Sequence, residues 1–181
     1  MYAQAPVESF ASSLSTVAHV SPWASSPWSH GPSRTAEVAA YTRAVAAIPG
    51  SCLCGGVRFE VTPPFERSSH CHCSRCRKHS GNFGATSLRA NAGAIRFLSG
   101  KELLGAWAEE GFGTKVFCTR CGSSLFGGAW PDGEISVRFG ALDADPGIRP
   151  QRRIHVDSAA PWFDVPDDGL PRFGGRAPRT A

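Results

Sequence analysis

The seven cysteines of the chain could do chemistry, because all of them fall in three short clusters. The clusters are Cys52 and Cys54, then Cys71, Cys73 and Cys76, and finally Cys118 and Cys121. Side chains two residues apart in an extended segment project to the same face, and a CxxC pair converges across a tight turn. Tetrahedral sets of thiolates select zinc or iron-sulfur clusters, and zinc is commoner for ligands split between distant turns. The spacing therefore predicts metal binding.

The two-cysteine clusters need each other to complete a ligand shell. Cys52, Cys54, Cys118 and Cys121 together make a closed set of four sulfurs, which predicts a structural zinc ion that joins the start of a domain to its middle. A thioredoxin-like redox pair at Cys118 and Cys121 is the alternative, but no βαβ pattern surrounds these residues.

The three cysteines within residues 71–76 can converge on one ion without help from elsewhere. Three protein ligands and an open fourth position are the arrangement of a catalytic or labile zinc, so Cys71, Cys73 and Cys76 are the candidate catalytic residues. In one alternative, His70, His72 or His79 closes the shell and the ion is structural; His72 is the worst placed, since it lies between two ligands. In another, the sulfurs form a disulfide or a free redox thiol.

Three cations lie directly beside this cluster, namely Arg75, Arg77 and Lys78. Three thiolates and one zinc ion leave a net charge of about −1, and neighbouring cations keep such sulfurs deprotonated. The same cations could attract an anionic ligand, although an ordinary solvated basic turn is an equally good interpretation. A small thiol that carries carboxylates would use both features, its sulfur at the zinc and its carboxylates on these cations.

Period-two alternation indicates the elements that position these residues. Val57, Phe59 and Val61 alternate with polar residues and predict a half-buried strand, as do Ile135, Val137 and Phe139. Further strands are predicted at 83–89, 94–98, 103–108, 114–118, 123–127, 134–140 and 153–157, with Gly and Asp between them. Strands at intervals of roughly ten residues favour a mainly β, antiparallel domain over a βαβ repeat.

The composition divides the chain into three parts. Residues 1–49 are rich in Ser, Ala and Pro and predict a disordered extension with a short helix near 36–48. Residues 50–173 carry the strands and all seven cysteines, and predict one zinc-binding domain. Residues 174–181 predict a flexible tail.

Charge and cysteine usage exclude several classes of protein. The net charge of +4 is mild and scattered, which argues against a nucleic-acid partner. An odd number of cysteines cannot be fully paired in one chain and favours a reducing compartment. No signal-peptide pattern and no apolar run near the roughly 18 residues of a membrane span occur. The sequence predicts a soluble, cytoplasmic protein without a membrane partner.

Five stretches of the sequence form a specific pattern: GSCLCGGVRFEV at 50–61, CHCSRCRKHSG at 71–81, FCTRCGSSLF at 117–126, FGALDADPGIRPQRRIHV at 139–156 and APWFDVPDDGLPRF at 160–173. With this pattern the chain resembles the glutathione-dependent formaldehyde-activating enzyme (GFA) family, also called the CENP-V domain family, over about residues 50 to 173.

The resemblance implies a β-tent fold of antiparallel sheets and a carbon-sulfur lyase activity that joins glutathione and formaldehyde into S-hydroxymethylglutathione. It matches the four-cysteine set to the family's structural zinc and the three-cysteine set to its catalytic or substrate-linked zinc, with glutathione as co-substrate. Arg153 and Ala159 depart from the His and Lys of many members. The alternative is a non-catalytic, zinc-stabilised module that carries glutathione, a protein partner or a nucleic acid.

Overall fold

The computed structural model describes residues 46–178. In this part of the chain, eleven strands, one α-helix and four short 3-10 helices follow one another. The strands are β1 (Ile48–Ser51), β2 (Arg58–Val61), β3 (Ser68–Cys71), β4 (Ala85–Asn91), β5 (Ile95–Ser99), β6 (Leu104–Trp107), β7 (Thr114–Cys118), β8 (Ser124–Gly128), β9 (Glu134–Arg138), β10 (Arg153–Ile154) and β11 (Arg172–Phe173); the helix is α1 (Ser74–Ser80). The prediction of a mainly β domain is confirmed.

The strands form two sheets. The smaller sheet has the order β1-β2-β5 and is antiparallel throughout. The larger sheet has the order β11-β10-β3-β4-β9-β8-β7-β6, in which β10 runs parallel to both β3 and β11. Its remaining pairs are antiparallel. The chain segments that carry the second and third cysteine clusters therefore belong to the same sheet.

A single aromatic-rich core joins the two sheets. Phe59 of β2 meets Phe126 of β8 edge to face, with ring centroids 4.8 Å apart, and the Trp130 ring stacks on Phe126 at 5.2 Å. Val57, Phe59 and Val61 are fully buried, as their alternation predicted. Each such side chain contributes roughly 1.5–3 kcal/mol by leaving water.

Strand β9 differs from its predicted half-buried form. Ile135 and Val137 are buried as expected, but Ser136 and Arg138 between and after them are buried too. Successive residues face opposite sides of a sheet, so both faces of β9 are covered. The face predicted to be exposed is instead covered by polar side chains, since Arg138 donates hydrogen bonds to Ser87 of β4 and to Ser124 of β8. Phe139 begins a 3-10 helix and does not extend the strand.

The N-terminal extension lies outside the described residues as far as residue 45, and so does most of the helix predicted near 36–48. Ile48, placed by the sequence at the end of that helix, instead begins β1 and pairs with Val61. At the C-terminal end, the first residues of the predicted flexible tail contact the domain. The Gly175 carbonyl accepts a hydrogen bond from the His155 backbone N–H at 2.8 Å. No helix among residues 46–178 combines the length and apolar character that crossing a membrane requires.

Candidate metal centres and cleft

The first and third cysteine clusters come together as one group. The sulfurs of Cys52, Cys54, Cys118 and Cys121 all lie within 4.8 Å of one another, and none of them forms a disulfide. The Sγ atoms of Cys52 and Cys54 are 3.5 Å apart, and those of Cys54 and Cys118 are 4.0 Å apart. A tetrahedral site with metal-sulfur bonds of about 2.3 Å separates its sulfurs by about 3.8 Å. The donor set therefore fits a closed four-sulfur zinc site.

Two turns hold this four-cysteine cluster in place. In the first turn, the Val57 N–H donates to the Cys52 sulfur at 3.2 Å. In the second, the Gly122 N–H donates to the Cys118 carbonyl at 2.8 Å; Gly122 has φ +77°, a conformation that glycine adopts without strain. Hydrogen bonds with Ser123 lower the pKa of Cys121 to about 5, which favours a thiolate there. A hydrogen bond from the Leu53 N–H to the Ser123 hydroxyl, at 2.9 Å, joins the two turns.

The middle cluster also converges. The sulfurs of Cys71, Cys73 and Cys76 lie within 4.8 Å of one another. Cys71 ends β3, Cys73 caps the N-terminus of α1 in an extended conformation, and Cys76 lies in the first turns of that helix. The Cys73 sulfur accepts a hydrogen bond from the Cys76 N–H at 3.4 Å. The sequence indicated the convergence of these sulfurs but not the helix that produces it.

No histidine joins this three-cysteine cluster among the described residues. His70 Nδ1 lies 2.7 Å from the Thr86 hydroxyl, and His79 Nδ1 lies 2.8 Å from the Ser124 hydroxyl. His72 points away to Arg153, with Nε2 3.3 Å from Nη1. The donor set that residues 46–178 offer is thus three sulfurs with a fourth position open, which fits a zinc site that can take an exogenous ligand.

A buried contact connects the three-cysteine cluster to the C-terminal part of the domain. His72 is fully buried beside the stacked rings of Phe83 and Phe163, which are 4.3 Å apart. Arg153, only 4% exposed, forms a bidentate pair with Asp168 at 3.2 and 2.7 Å. Arg153, one of the two departures from the family pattern, therefore positions His72, which lies between the candidate ligands Cys71 and Cys73.

We expect Asp168→Asn to lower the thermal unfolding midpoint at neutral pH, because it leaves the buried Arg153 guanidinium without a negative charge. The hydrogen bond from Arg153 lowers the pKa of Asp168 to about 2, from an ordinary value of 3.8. The carboxylate's contribution is therefore complete above about pH 4 and is lost as the pH falls to about 2. The difference in midpoint between wild type and variant should shrink over that window. A difference that stays constant between pH 4 and pH 2 would count against this assignment.

The three-cysteine cluster opens into a cleft of about 1060 Å³. Cations predominate in its lining: Arg67, Arg75, Arg89, Lys115, Arg138, Arg152 and Arg176, against the acidic residues Glu66 and Glu134. Glu134 is engaged by Arg67 at 2.5 Å and by Arg89 at 3.5 Å. The cleft is consequently a positively charged depression with three cysteines in its lining, suited to an anionic ligand.

The three cations that the sequence singled out have different positions. Arg75 lines the cleft, where it pairs with Glu109 at 2.7 Å and lies 3.4 Å from the centre of the Phe112 ring. Arg77 and Lys78 are not among the lining residues. Successive residues of a helix are rotated by about 100°, so the neighbours of one lining residue face elsewhere.

Two cations that the sequence analysis missed line the cleft together with the three-cysteine cluster. Lys115 of β7 places Nζ 3.4 Å from the Cys76 sulfur, and Arg138 of β9 lines the same cleft. Hydrogen bonds with Cys71 and Cys73, followed by the charges of Lys115 and Arg138, hold the pKa of Cys76 well below its usual range. The hydrogen bonds of Cys71 with Cys73 and Cys76 raise the pKa of Cys71. The positive charges of Lys115 and Arg138 thus favour negative charge on the sulfurs of this cluster.

Comparisons with known proteins indicate a family for this chain. The family model described as "Glutathione-dependent formaldehyde-activating enzyme" matches residues 47–158. A Halomonas elongata protein named "Putative glutathione-dependent formaldehyde-activating enzyme" is 33% identical over 129 residues, which cover 65% of this chain and 80% of that protein. A Schizosaccharomyces pombe protein named as an uncharacterized lyase is 31% identical over 78 residues, covering 42% of this chain and 54% of its own length.

Among solved structures, the crystal structure of a Rhodobacter sphaeroides protein is similar to this one. The TM-score is 0.47 and the sequence identity 23%, and the match covers 70% of this chain and 99% of that chain.

Proposed function

Because the chain belongs to the glutathione-dependent formaldehyde-activating enzyme family, we propose that it is a zinc-dependent carbon-sulfur lyase that acts on a glutathione-like thiol adduct. The reaction is the formation or cleavage of S-hydroxymethylglutathione, or a closely related one. The observation that carries this proposal is the three-cysteine cluster, which opens into a cleft lined mainly by cations.

The donor sets support two metal sites with different roles. Cys52, Cys54, Cys118 and Cys121 would hold a structural zinc ion, since four sulfurs leave no position for a substrate. Cys71, Cys73 and Cys76 would hold a second, catalytic or labile zinc ion. When bound, such an ion would stabilise the thiolate form of an incoming thiol.

The residues of the cleft would bind and orient the substrate. The reaction joins the glutathione sulfur to the formaldehyde carbon; the carbonyl π electrons move to oxygen, which gains a proton, and the thiol proton is released. Arginines of the lining would attract the carboxylates of glutathione, which orients its sulfur toward Cys71, Cys73 and Cys76. Arg75 can take part from the cleft wall, whereas Arg77 and Lys78 contribute only to the surrounding positive field.

Two matched variants distinguish glutathione binding by the cleft from binding by the basic residues of α1. Arg176→Met removes an exposed cation of the cleft, and Lys78→Met removes another exposed cation outside its lining. We expect Arg176→Met to raise the Kd for glutathione about two- to fivefold, the size of an exposed charge contact, and Lys78→Met to leave it unchanged. Isothermal titration measures both. A larger effect of Lys78→Met would favour the sequence-based assignment over the cleft.

The proposed reaction is tested by the rate at which formaldehyde and glutathione exchange with their adduct, measured by NMR exchange spectroscopy in the zinc-loaded protein. Wild type is expected to accelerate exchange over buffer, and Cys73→Ser is expected not to. A panel of small aldehydes defines the carbonyl substrate. Equal exchange rates with wild type, with Cys73→Ser and in buffer would overturn the proposal. Saturable glutathione binding without acceleration would identify the protein as a binding module.

A further inference from the structure

We infer that Lys115 and Arg138 determine which ligand the three-cysteine centre accepts: their two positive charges make its open position take a thiolate in preference to neutral water. The inference rests on the proposed function, since it assumes a metal ion held by Cys71, Cys73 and Cys76. It assigns a role to two residues that the sequence pattern does not single out.

Lys115 has no negative partner among the described residues other than this cluster. Its Nζ donates to the Cys76 sulfur at 3.4 Å, and no carboxylate of residues 46–178 forms an ion pair with it. The side chain is half-buried on β7. An ammonium in that position offsets negative charge on the sulfurs.

Arg138 is a buried cation whose hydrogen bonds within residues 46–178 go to neutral hydroxyl groups. It is 7% exposed, and it donates from Nε to the Ser124 hydroxyl at 3.2 Å and from Nη1 to the Ser87 hydroxyl at 2.6 Å. Glu134, the nearest acidic residue along its strand, forms ion pairs with Arg67 and Arg89 instead. A buried guanidinium without a carboxylate is costly unless another negative charge compensates it. The sulfurs in the same cleft are the available negative charge.

The charges favour a thiolate by simple addition. Three thiolates and a divalent ion carry about −1, and Lys115 with Arg138 bring the centre to about +1. Water in the open position leaves that charge unchanged, whereas a thiolate brings it to about zero. Among the described residues, no lysine or arginine donates a hydrogen bond to a sulfur of the four-cysteine cluster, which has no open position to control.

The test measures binding of 2-mercaptoethanol to protein in which cobalt(II) replaces zinc. This probe is uncharged apart from its thiol, so contacts between carboxylates and arginines cannot contribute. Sulfur-to-cobalt charge-transfer absorption in the near ultraviolet reports each new thiolate ligand. The variants are Lys115→Met, the charge-retaining Lys115→Arg and Arg138→Gln. The control is Lys101→Met, an exposed lysine outside the cleft.

We expect Lys115→Met to raise the Kd for the thiol at least about tenfold with metal content unchanged. The Kd of Lys115→Arg and of Lys101→Met should remain close to that of wild type. Arg138→Gln, once shown to be folded, should raise the Kd as Lys115→Met does. A Kd of Lys115→Met within twofold of wild type would overturn the inference, and so would loss of the second metal ion from this variant. Failure of wild type itself to bind the thiol would instead overturn the proposed function, and this inference with it.

Discussion

Cys118→Ser is expected to abolish cooperative folding of the domain. Cys118 is fully buried at the end of β7, and its sulfur lies 4.0 Å from that of Cys54, 64 residues earlier in the chain. Structural zinc in small domains contributes about 10–16 kcal/mol of binding free energy, which equals or exceeds the whole stability of a typical domain, about 5–15 kcal/mol. Loss of one sulfur from a closed set should therefore leave little stability. Thermal unfolding followed by circular dichroism measures this.

The natural control for this experiment is Cys73→Ser, which changes a cysteine of the other cluster. If only the four-cysteine cluster holds the fold together, Cys73→Ser unfolds close to wild type while Cys118→Ser shows no cooperative transition. A Cys118→Ser protein that unfolds within about 5 °C of wild type, the shift that corresponds to only about 1 kcal/mol, would contradict the structural role of this cluster.

Cys73→Ser is expected to reduce turnover by about 10²–10³-fold while the fold is retained. Cys73 is the N-cap of α1, and its side chain accepts the Cys76 N–H. Serine is among the best N-cap residues, so this hydrogen bond survives the change. A hydroxyl is a much poorer zinc ligand than a thiolate, and removal of one strong electrostatic stabiliser costs about 10²–10³ in rate even when no metal is lost.

Two measurements on the Cys73→Ser protein check the expected loss of turnover. Metal analysis should find one zinc ion fewer per chain in Cys73→Ser, and exchange spectroscopy should find a rate near that of buffer. Lys101→Met, outside the cleft, should match wild type in both. Wild-type turnover in a Cys73→Ser protein that has lost its second ion would show that the reaction does not use this centre.

The convergence of sulfurs within each short segment could be predicted because close spacing is a local property. The joining of the first segment to the third, 64 residues apart, was inferred only from the need to complete a ligand shell. A CxxC pair in a turn brings its sulfurs together whatever the rest of the fold does. Cys52 and Cys54 do so from a turn closed by a hydrogen bond from the Gly55 N–H to the Cys52 carbonyl, not from the extended segment that the sequence predicted. The alternation of Val57, Phe59 and Val61 was equally informative, since it reflects one buried face of β2. Cysteine spacing and apolar alternation depend on residues close together in sequence, so they can be interpreted without knowledge of the topology.

Strand β3 and the cations of the cleft could not be predicted in this way. Ser68–Cys71 has no apolar alternation, and its place in the sheet depends on pairing with β4 and with the distant β10. Lys115 and Arg138 reach the cysteines only because β7 and β9 enter the same large sheet, with β8 between them. Likewise, His72 meets Arg153 across 81 residues. Each of these contacts depends on the register of strands that are far apart in sequence.

The most direct test of the account is elemental analysis of carefully purified, reduced protein, repeated with excess glutathione. The account predicts about two zinc ions per chain, one for each group of sulfurs; the ion of Cys71, Cys73 and Cys76 should exchange readily when the thiol is added, and the other should not. Absence of bound zinc and of any other transition metal would contradict it.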